Sequence, residues 1–416
     1  MVDDNKTPES LVSKEINVIE GAQLDARPVP TLDEPDLPHG MLGRVLVKLN
    51  IAQNGASVVI KSALFFVLIA FLPLLVLCIF QGTALPGSVK VPLLGDAITL
   101  SRLLLVAPIL MLSDLLTRPW LIKVAEHFLG TFIEAEDVDD YKSMFKGVFM
   151  IRNSVLIDGC LFVLAFVSSI FQASMVVALD ISSWQLVGIH SHPVLSIPGW
   201  WNAAISQPLF RFVILSWSFD YLLWVYFLFK VSRFKLKVIA THPDGAGGLA
   251  FVSVAQTPFC VSAFALSAAI SSVVAHAVLY THMKLQSFTN LGIVFLALML
   301  LIFVGPLVVF TPTLLRTKLK SVFSFGALCH EMSTLFAAKW LVPRAEGDPK
   351  ILDSADSSAL ADLNSSYVTM SSMRPFIFNH KFVMTFAVAS ALPALPLVAT
   401  VMPLKDILMQ ILKALT

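Results

Sequence analysis

Asp220 is a carboxylate inside the apolar run "LFRFVILSWSFDYLLWVYFLFK" (209–230). A charge at the centre of a bilayer costs about 2.5–3.5 kcal/mol on insertion scales, so it marks a place to look for function. Helical spacing puts Ser216, Trp217 and Trp224 on the face of Asp220. Arg211 lies on the opposite face of the same run and cannot reach it, so each needs a partner elsewhere or water. His276 borders a stripe of Ala263, Ser267, Ser271 and Ala275, small residues whose spacing lets helix backbones approach closely. An imidazole there can accept a proton or serve as hydrogen-bonded packing. Asp220, Arg211, His276 and Ser216 are the candidates for a polar pathway, a proton or cation relay. The plainer alternative is a buried structural aspartate bonded to another helix.

The second candidate is the stretch "THPDGAGGL" (241–249). Its glycines lack the dinucleotide-binding spacing and no β-α-β context surrounds them. The backbone N–H groups of such a turn can still bind an anion. His242 and Asp244 are two ligands, too few for a metal. Pro243 disfavours helix at His242, Asp244 and Gly245 make a turn, and Gly247 and Gly248 permit close backbone approach. A turn has no need of His242. Elsewhere, Asp114 has Arg118 one helical turn later and reads as an ion pair. Asp158 reads as a carboxylate at a helix N-terminus. His190 and His192 form an H-x-H, with His282 on the same side. "MIRNS" (150–154) matches no motif. There is no Walker A, G-x-S-x-G or kinase set. No catalytic residue, metal or cofactor is therefore expected.

The elements that hold these residues follow from composition. The chain has 416 residues, 56% hydrophobic and 14% charged, against about 25% charged in soluble domains. Its mean hydropathy is +0.80. This is the composition of a polytopic membrane protein. The net charge of +1 says nothing about nucleic acid, and with no long basic run no nucleic-acid partner is expected. Four scattered cysteines, Cys78, Cys160, Cys260 and Cys329, form neither a disulfide framework nor a Cys-x-x-Cys site. Residues 1–40, with nine acidic residues, three basic and five prolines, read as a disordered acidic tail and not as a cleavable signal.

A bilayer core of about 30 Å takes about 20 apolar residues as helix. Seven stretches qualify: 62–81, 99–117, 154–178, 208–230, 256–280, 290–314 and 382–403. Asp220 falls nearest the middle of its span. With the N-terminus inside, 23 of the 29 Lys and Arg fall on the inner side, as the positive-inside rule predicts. That places the C-terminus outside, with 404–416 as an interfacial helix, and makes the expected location a bacterial inner membrane. Trp184, Trp200 and Trp201 suit an aromatic belt in an outer loop. Spans 2 and 6 are expected to run on into a helical cytoplasmic layer, 118–153 and 315–381. A basic run, Lys230, Arg233, Lys235 and Lys237, can meet anionic lipid, and the cytoplasmic helices can bind a protein partner. "VAPILMLSDLLTRPWLIKV" (106–124) and "VGPLVVFTPTLLRTKLKSV" (304–322) align, and Tyr141, Met144, Ile151 and Asn153 match Tyr367, Met370, Ile377 and Asn379. The order of the matches suggests a parallel repeat of spans 1–3 and 5–7.

"THPDGAGGLAF", with "QPLFRFVILSW", "GPLVVFTPTLLR", "KWL", "DSADSSALADLNSSY" and "MRPFIF", resembles a family of bacterial polytopic membrane proteins. The most specific part is a His-Pro-Asp-x-Ala-Gly-Gly-Leu run, which falls on His242, Pro243, Asp244, Ala246, Gly247, Gly248 and Leu249. The resemblance covers most of the chain after about residue 95 and implies location and fold, with no activity attached. The expectation is an all-α membrane bundle. Its function is a transporter or channel for a small solute or ion, a scaffold or signalling component binding a partner through its cytoplasmic helices, or an enzyme acting on lipid.

Overall fold

The computed structural model describes residues 56–179, 182–187, 193–281, 283–341 and 355–399. The acidic tail, residues 41–55, His190, His192, His282 and the 404–416 helix lie outside them. Seven helical segments are long and apolar enough to cross a membrane: Ala56–Phe80, Ala97–Phe132, Val155–Ala178, Ile197–Val231, Ala250–Tyr280, Leu285–Trp340 and His380–Leu397. They are spans 1 to 7. The all-α expectation holds, and the only paired strands among the described residues are Leu186–Val187 and Val194–Leu195. One end of the bundle, here the basic end, carries the helical extensions and the 232–249 loop. The other is the far end.

Prolines shape the spans. Span 4 begins at Ile197, well before the expected 208. Ser196 caps it by accepting the Gly199 N–H, and Pro198 sits in its first turn, where no N–H is needed. Pro208 does not break it, because residues Asn202–Ser206 widen into a π-helix ahead of the ring. The Ala203 carbonyl, which would meet the missing Pro208 N–H in that register, accepts the Ser169 hydroxyl of span 3 instead, at 2.7 Å. Span 2 uses the same device, a π segment Ser101–Val106 ahead of Pro108.

In span 6, Pro306 removes the N–H that would meet the Ile302 carbonyl. The Tyr221 hydroxyl of span 4 donates to that oxygen at 2.7 Å. Gln256 of span 5, fully buried, donates to the Phe303 carbonyl at 2.9 Å and accepts from Trp224 Nε1 at 2.7 Å. Three side chains thus tie spans 4, 5 and 6 at the point where span 6 changes from α to 3-10 geometry, Gly305–Phe310. Replacing Tyr221 by Phe strands the Ile302 carbonyl and is expected to cost about 1–3 kcal/mol. Unfolding in lipid nanodiscs measures this, and an unchanged midpoint would show that the carbonyl does not need that hydroxyl.

Two apolar cores result. One fills the basic end around Phe128, Tyr141, Trp224 and Phe310. The other fills the far end around Phe66, Leu103, Leu110 and Trp184. Span 5 lies between spans 2 and 7, with Ala263 and Ser267 buried, as its small residues predict. Trp184 is not a belt residue: it is fully buried, and its indole N–H donates to Asp96 at 3.1 Å. Trp200 is exposed.

The helix of span 2 runs to Phe132, and a second helix, Val138–Arg152, leads into span 3. The helix of span 6 runs unbroken from Thr311 to Trp340 and packs along Asp356–Ser371 as a hairpin. Both members of the aligned pair Asn153 and Asn379 stand where a span begins. Asn153 ends the preceding helix, and Asn379 caps span 7 through the Phe382 N–H. The spans they open pack differently: span 3 lies on span 4, and span 7 lies on spans 5 and 6.

Candidate functional site: a charged cavity and a capped loop

Asp220 has a partner that its own span could not supply. Arg152 ends the helix Val138–Arg152, Asn153 and Ser154 turn the chain, and span 3 starts at Val155 with Asp158 in its first turn. From this corner the Arg152 guanidinium meets Asp220 through two nitrogens. Nε pairs with Oδ1, and Nη2 donates to Oδ2 at 3.0 Å. Its third nitrogen, Nη1, lies 3.6 Å from Asp158 Oδ1. A planar guanidinium is suited to this fork, and a lysine would reach only one oxygen at a time.

The contact also sets the level of Asp220 in the bundle. A residue bonded to the corner before Val155 is level with the end of span 3, not with its middle. The expectation of a mid-span aspartate fails because span 4 is longer than its most apolar part. At about 1.5 Å per residue its 35 residues run about 52 Å.

Beside the pair lies a cavity of about 140 Å³. Asp220 and Arg152 line one side, and Asp114 and Arg118 of span 2 another. The last two form the expected ion pair, at 3.7 Å. The rest of the wall is largely aromatic: Trp217, Tyr221, Trp224, Phe145, Phe149 and Phe259. Trp217 and Tyr221 stack at 5.7 Å. Walls of this kind, apolar rings with a few charged groups, are of the sort that line small-molecule sites.

The other pathway candidates do not join Asp220. Arg211 pairs with the Gln172 amide of span 3. Ser216 keeps a buried hydroxyl with no partner among the described residues, and it does not line this cavity. His276 is near the far end, its ring 4.9 Å from Tyr280. Arg152 lies inside "MIRNS", a stretch that matches no motif. The usable signal was an aspartate that needed a cation, and an arginine just ahead of a span on the same side of the membrane.

The "THPDGAGGL" loop is built around Asp244. Its Oδ1 accepts the N–H groups of Ala246, at 2.8 Å, and Gly248, at 3.0 Å. Its Oδ2 accepts that of Ala250 at 3.0 Å, where span 5 begins. The amides that suggested an anion cradle are thus filled by the protein's own carboxylate. Gly245, Gly247 and Gly248 all have positive φ, which allows three amides to turn toward one side chain. His242 Nδ1 lies 2.9 Å from Asp244 Oδ1 and 3.3 Å from the Asp244 backbone nitrogen, so it closes the turn. Partial burial pushes the Asp244 carboxyl up, but the three backbone donors and His242 together hold it below the ordinary carboxylate range. Arg374, in the "MRPFIF" stretch, clamps the loop. Its Nη2 donates to the Asp244 carbonyl at 3.0 Å and its N–H to the Gly245 carbonyl at 2.8 Å.

In the basic run, Lys237 Nζ donates to the Ile133 carbonyl at 3.2 Å and Lys235 pairs with Glu134 at 3.6 Å. Arg233 and Lys230 lie over Phe229 and Tyr226. No family model, curated protein or solved structure matches the chain. The seven apolar spans, with a charged cavity at one end, define an integral membrane protein.

Proposed function

We propose that the protein is a transporter of a small amphipathic solute, with Arg152 as the moving part of a proton-coupled switch. The supporting observation is the placement of one guanidinium between two carboxylates on different spans, at the wall of the cavity. Protonation of Asp220 removes the charge that holds two of the three nitrogens. Arg152 then turns to Asp158, and the corner between the Val138–Arg152 helix and span 3 shifts against span 4. Loss of the proton returns it. The basic end faces the cytoplasm of a bacterial inner membrane in this reading, as the Lys and Arg bias requires. Lys230 and Arg233, whose partners are aromatic faces, are then the residues placed to meet anionic headgroups.

The test is uptake into proteoliposomes under an imposed proton gradient, with a panel of small aromatic and aliphatic acids and amines. The wild type should concentrate at least one class. Asp220→Asn should lose about a hundredfold or more of that uptake while inserting normally, the size expected when a positioned proton-transfer group is removed. Gradient-driven uptake by Asp220→Asn at the wild-type rate would sink the switch.

A second reading, a partner-binding scaffold, rests on the Thr311–Trp340 helix, which presents Phe323 and Leu319 at 77% and 52% exposure. It expects Phe323→Ser to abolish function while Asp220→Asn is tolerated.

A further inference from the structure

The far end of the bundle holds a second cavity, of about 220 Å³. Arg102, Gln207, His276 and Asp96 are among its lining residues. Two of them present a polar atom that the chain leaves unmet. Gln207 is 4% exposed, and its side-chain oxygen is buried without a hydrogen-bond donor among the described residues. The Nδ1 atom of His276 is buried and likewise without a partner among the described residues. A buried amide oxygen left unmet costs about 1–3 kcal/mol, and native proteins rarely keep one without a reason.

The charges are equally uneven. Asp96 is already spent: one oxygen accepts the Ile98 and Thr99 N–H groups, the other the Thr99 hydroxyl and the Trp184 indole. Arg102 has no carboxylate within ion-pair distance among the described residues, and its guanidinium lies 5.7 Å from the centre of the Phe210 ring. The cavity therefore offers a cation with no ion-pair partner among the described residues, its charge partly offset by nearby Asp96, together with an amide oxygen and an imidazole nitrogen. The backbone around it is also irregular. Arg102 lies in the π segment of span 2, and Gln207 directly follows that of span 4. Such segments occur often at functional sites, since the wider turn re-aims side chains.

We propose that this cavity binds a compact carboxylate that also carries a hydrogen-bond donor, a small hydroxy or amino acid. Arg102 takes the carboxylate. A hydroxyl, with its single proton, donates to the Gln207 oxygen, while an ammonium group has protons for both that oxygen and His276 Nδ1. The proposal stands apart from the transport reading, since it concerns other residues at the other end of the bundle and is read by binding alone.

The test is calorimetric titration of the full chain in phosphatidylcholine nanodiscs with L-lactate, glycine, acetate and inorganic phosphate. Lactate or glycine should bind saturably, and acetate, which lacks the donor, about tenfold more weakly, the weight of one hydrogen bond in a closed site. Gln207→Leu should keep its unfolding midpoint or raise it, because a stranded polar group is gone, and should bind lactate no better than acetate. Arg102→Gln should lose all carboxylate binding. If Gln207→Leu fails to assemble, the wild-type preference for lactate over acetate decides alone. The proposal is overturned if neither lactate nor glycine binds, if acetate binds as well as lactate, if phosphate binds while the carboxylates do not, or if the two variants bind as the wild type does.

Discussion

Replacing Arg152 by Gln is expected to cost about 3–5 kcal/mol, the range for removing one partner of a buried ion pair. The side chains of Arg152 and Asp158 are 15% and 3% exposed and that of Asp220 is 28% exposed, so water replaces little of the guanidinium at Asp158 and part of it at Asp220. Asp220 loses both of its contacts with Arg152 at once. Asp220→Asn should cost less, because Asn carries no charge and Arg152 keeps Asp158. The order of the two effects is the sharper expectation. Denaturant unfolding in nanodiscs reads it, with a double Arg152→Leu, Asp220→Leu variant as the reference. That variant still takes the guanidinium from Asp158, but it leaves one carboxylate without Arg152 and not two, so it should be closer to wild type than Arg152→Gln is. A double variant worse than both single ones would mean that the pair itself, and not the stranding of one member, supports the fold.

Gly247→Ala is the second large expected effect. The backbone at Gly247 has φ +65°, and a Cβ there would lie 2.2 Å from Val238 Cγ1 and 3.0 Å from Met373 Cε. The left-handed conformation costs about 1–2 kcal/mol for a residue with a side chain, and forced overpacking adds about 1–3 kcal/mol. Val238 belongs to the 232–249 loop itself and its short branched side chain has little room to turn, whereas the Met373 methyl ends a flexible side chain, so the clash falls chiefly on Val238. Gly326 is the internal control. It is mid-helix with nothing within 4 Å of an added Cβ, so Gly326→Ala should be neutral or stabilising by about 0.5–1 kcal/mol. Equal unfolding midpoints for the two variants would refute the close approach at Gly247.

The spans were legible because a run of apolar residues long enough to cross a bilayer leaves few other readings. Their ends were not. Pro208 reads as a breaker, and nothing in the sequence announces that a π turn absorbs it. The small-residue stripe of span 5 identified a central helix, since packing distance is written in residue size. Pairings between helices were hidden. Asp220 declared a need but not its answer, because Arg152 lies 68 residues away in sequence and looks like any basic residue beside a membrane span. Trp184 was misplaced for a related reason: an outer tryptophan suits the interface until its indole N–H meets Asp96. The "THPDGAGGL" stretch was half legible. Its glycines and proline gave the turn, while the role of Asp244 depends on where three amides point, which sequence does not encode directly.

The hairpin of Thr311–Trp340 and Asp356–Ser371 has a mechanical consequence. Its tip is closed by Asp356, which takes Lys339 and the Trp340 indole. Near its base, Lys318 donates to the Met373 carbonyl at 2.7 Å. Thirty residues of helix make an arm about 45 Å long. The arm starts at the 3-10 turn after Pro306, where span 6 is held by Tyr221, the neighbour of Asp220. A rotation of about 10° at that fulcrum would sweep the tip through about 8 Å over such a length. A change too small to see among the packed spans would be large at the end of the arm, so a spectroscopic label there is where motion of the core can be read.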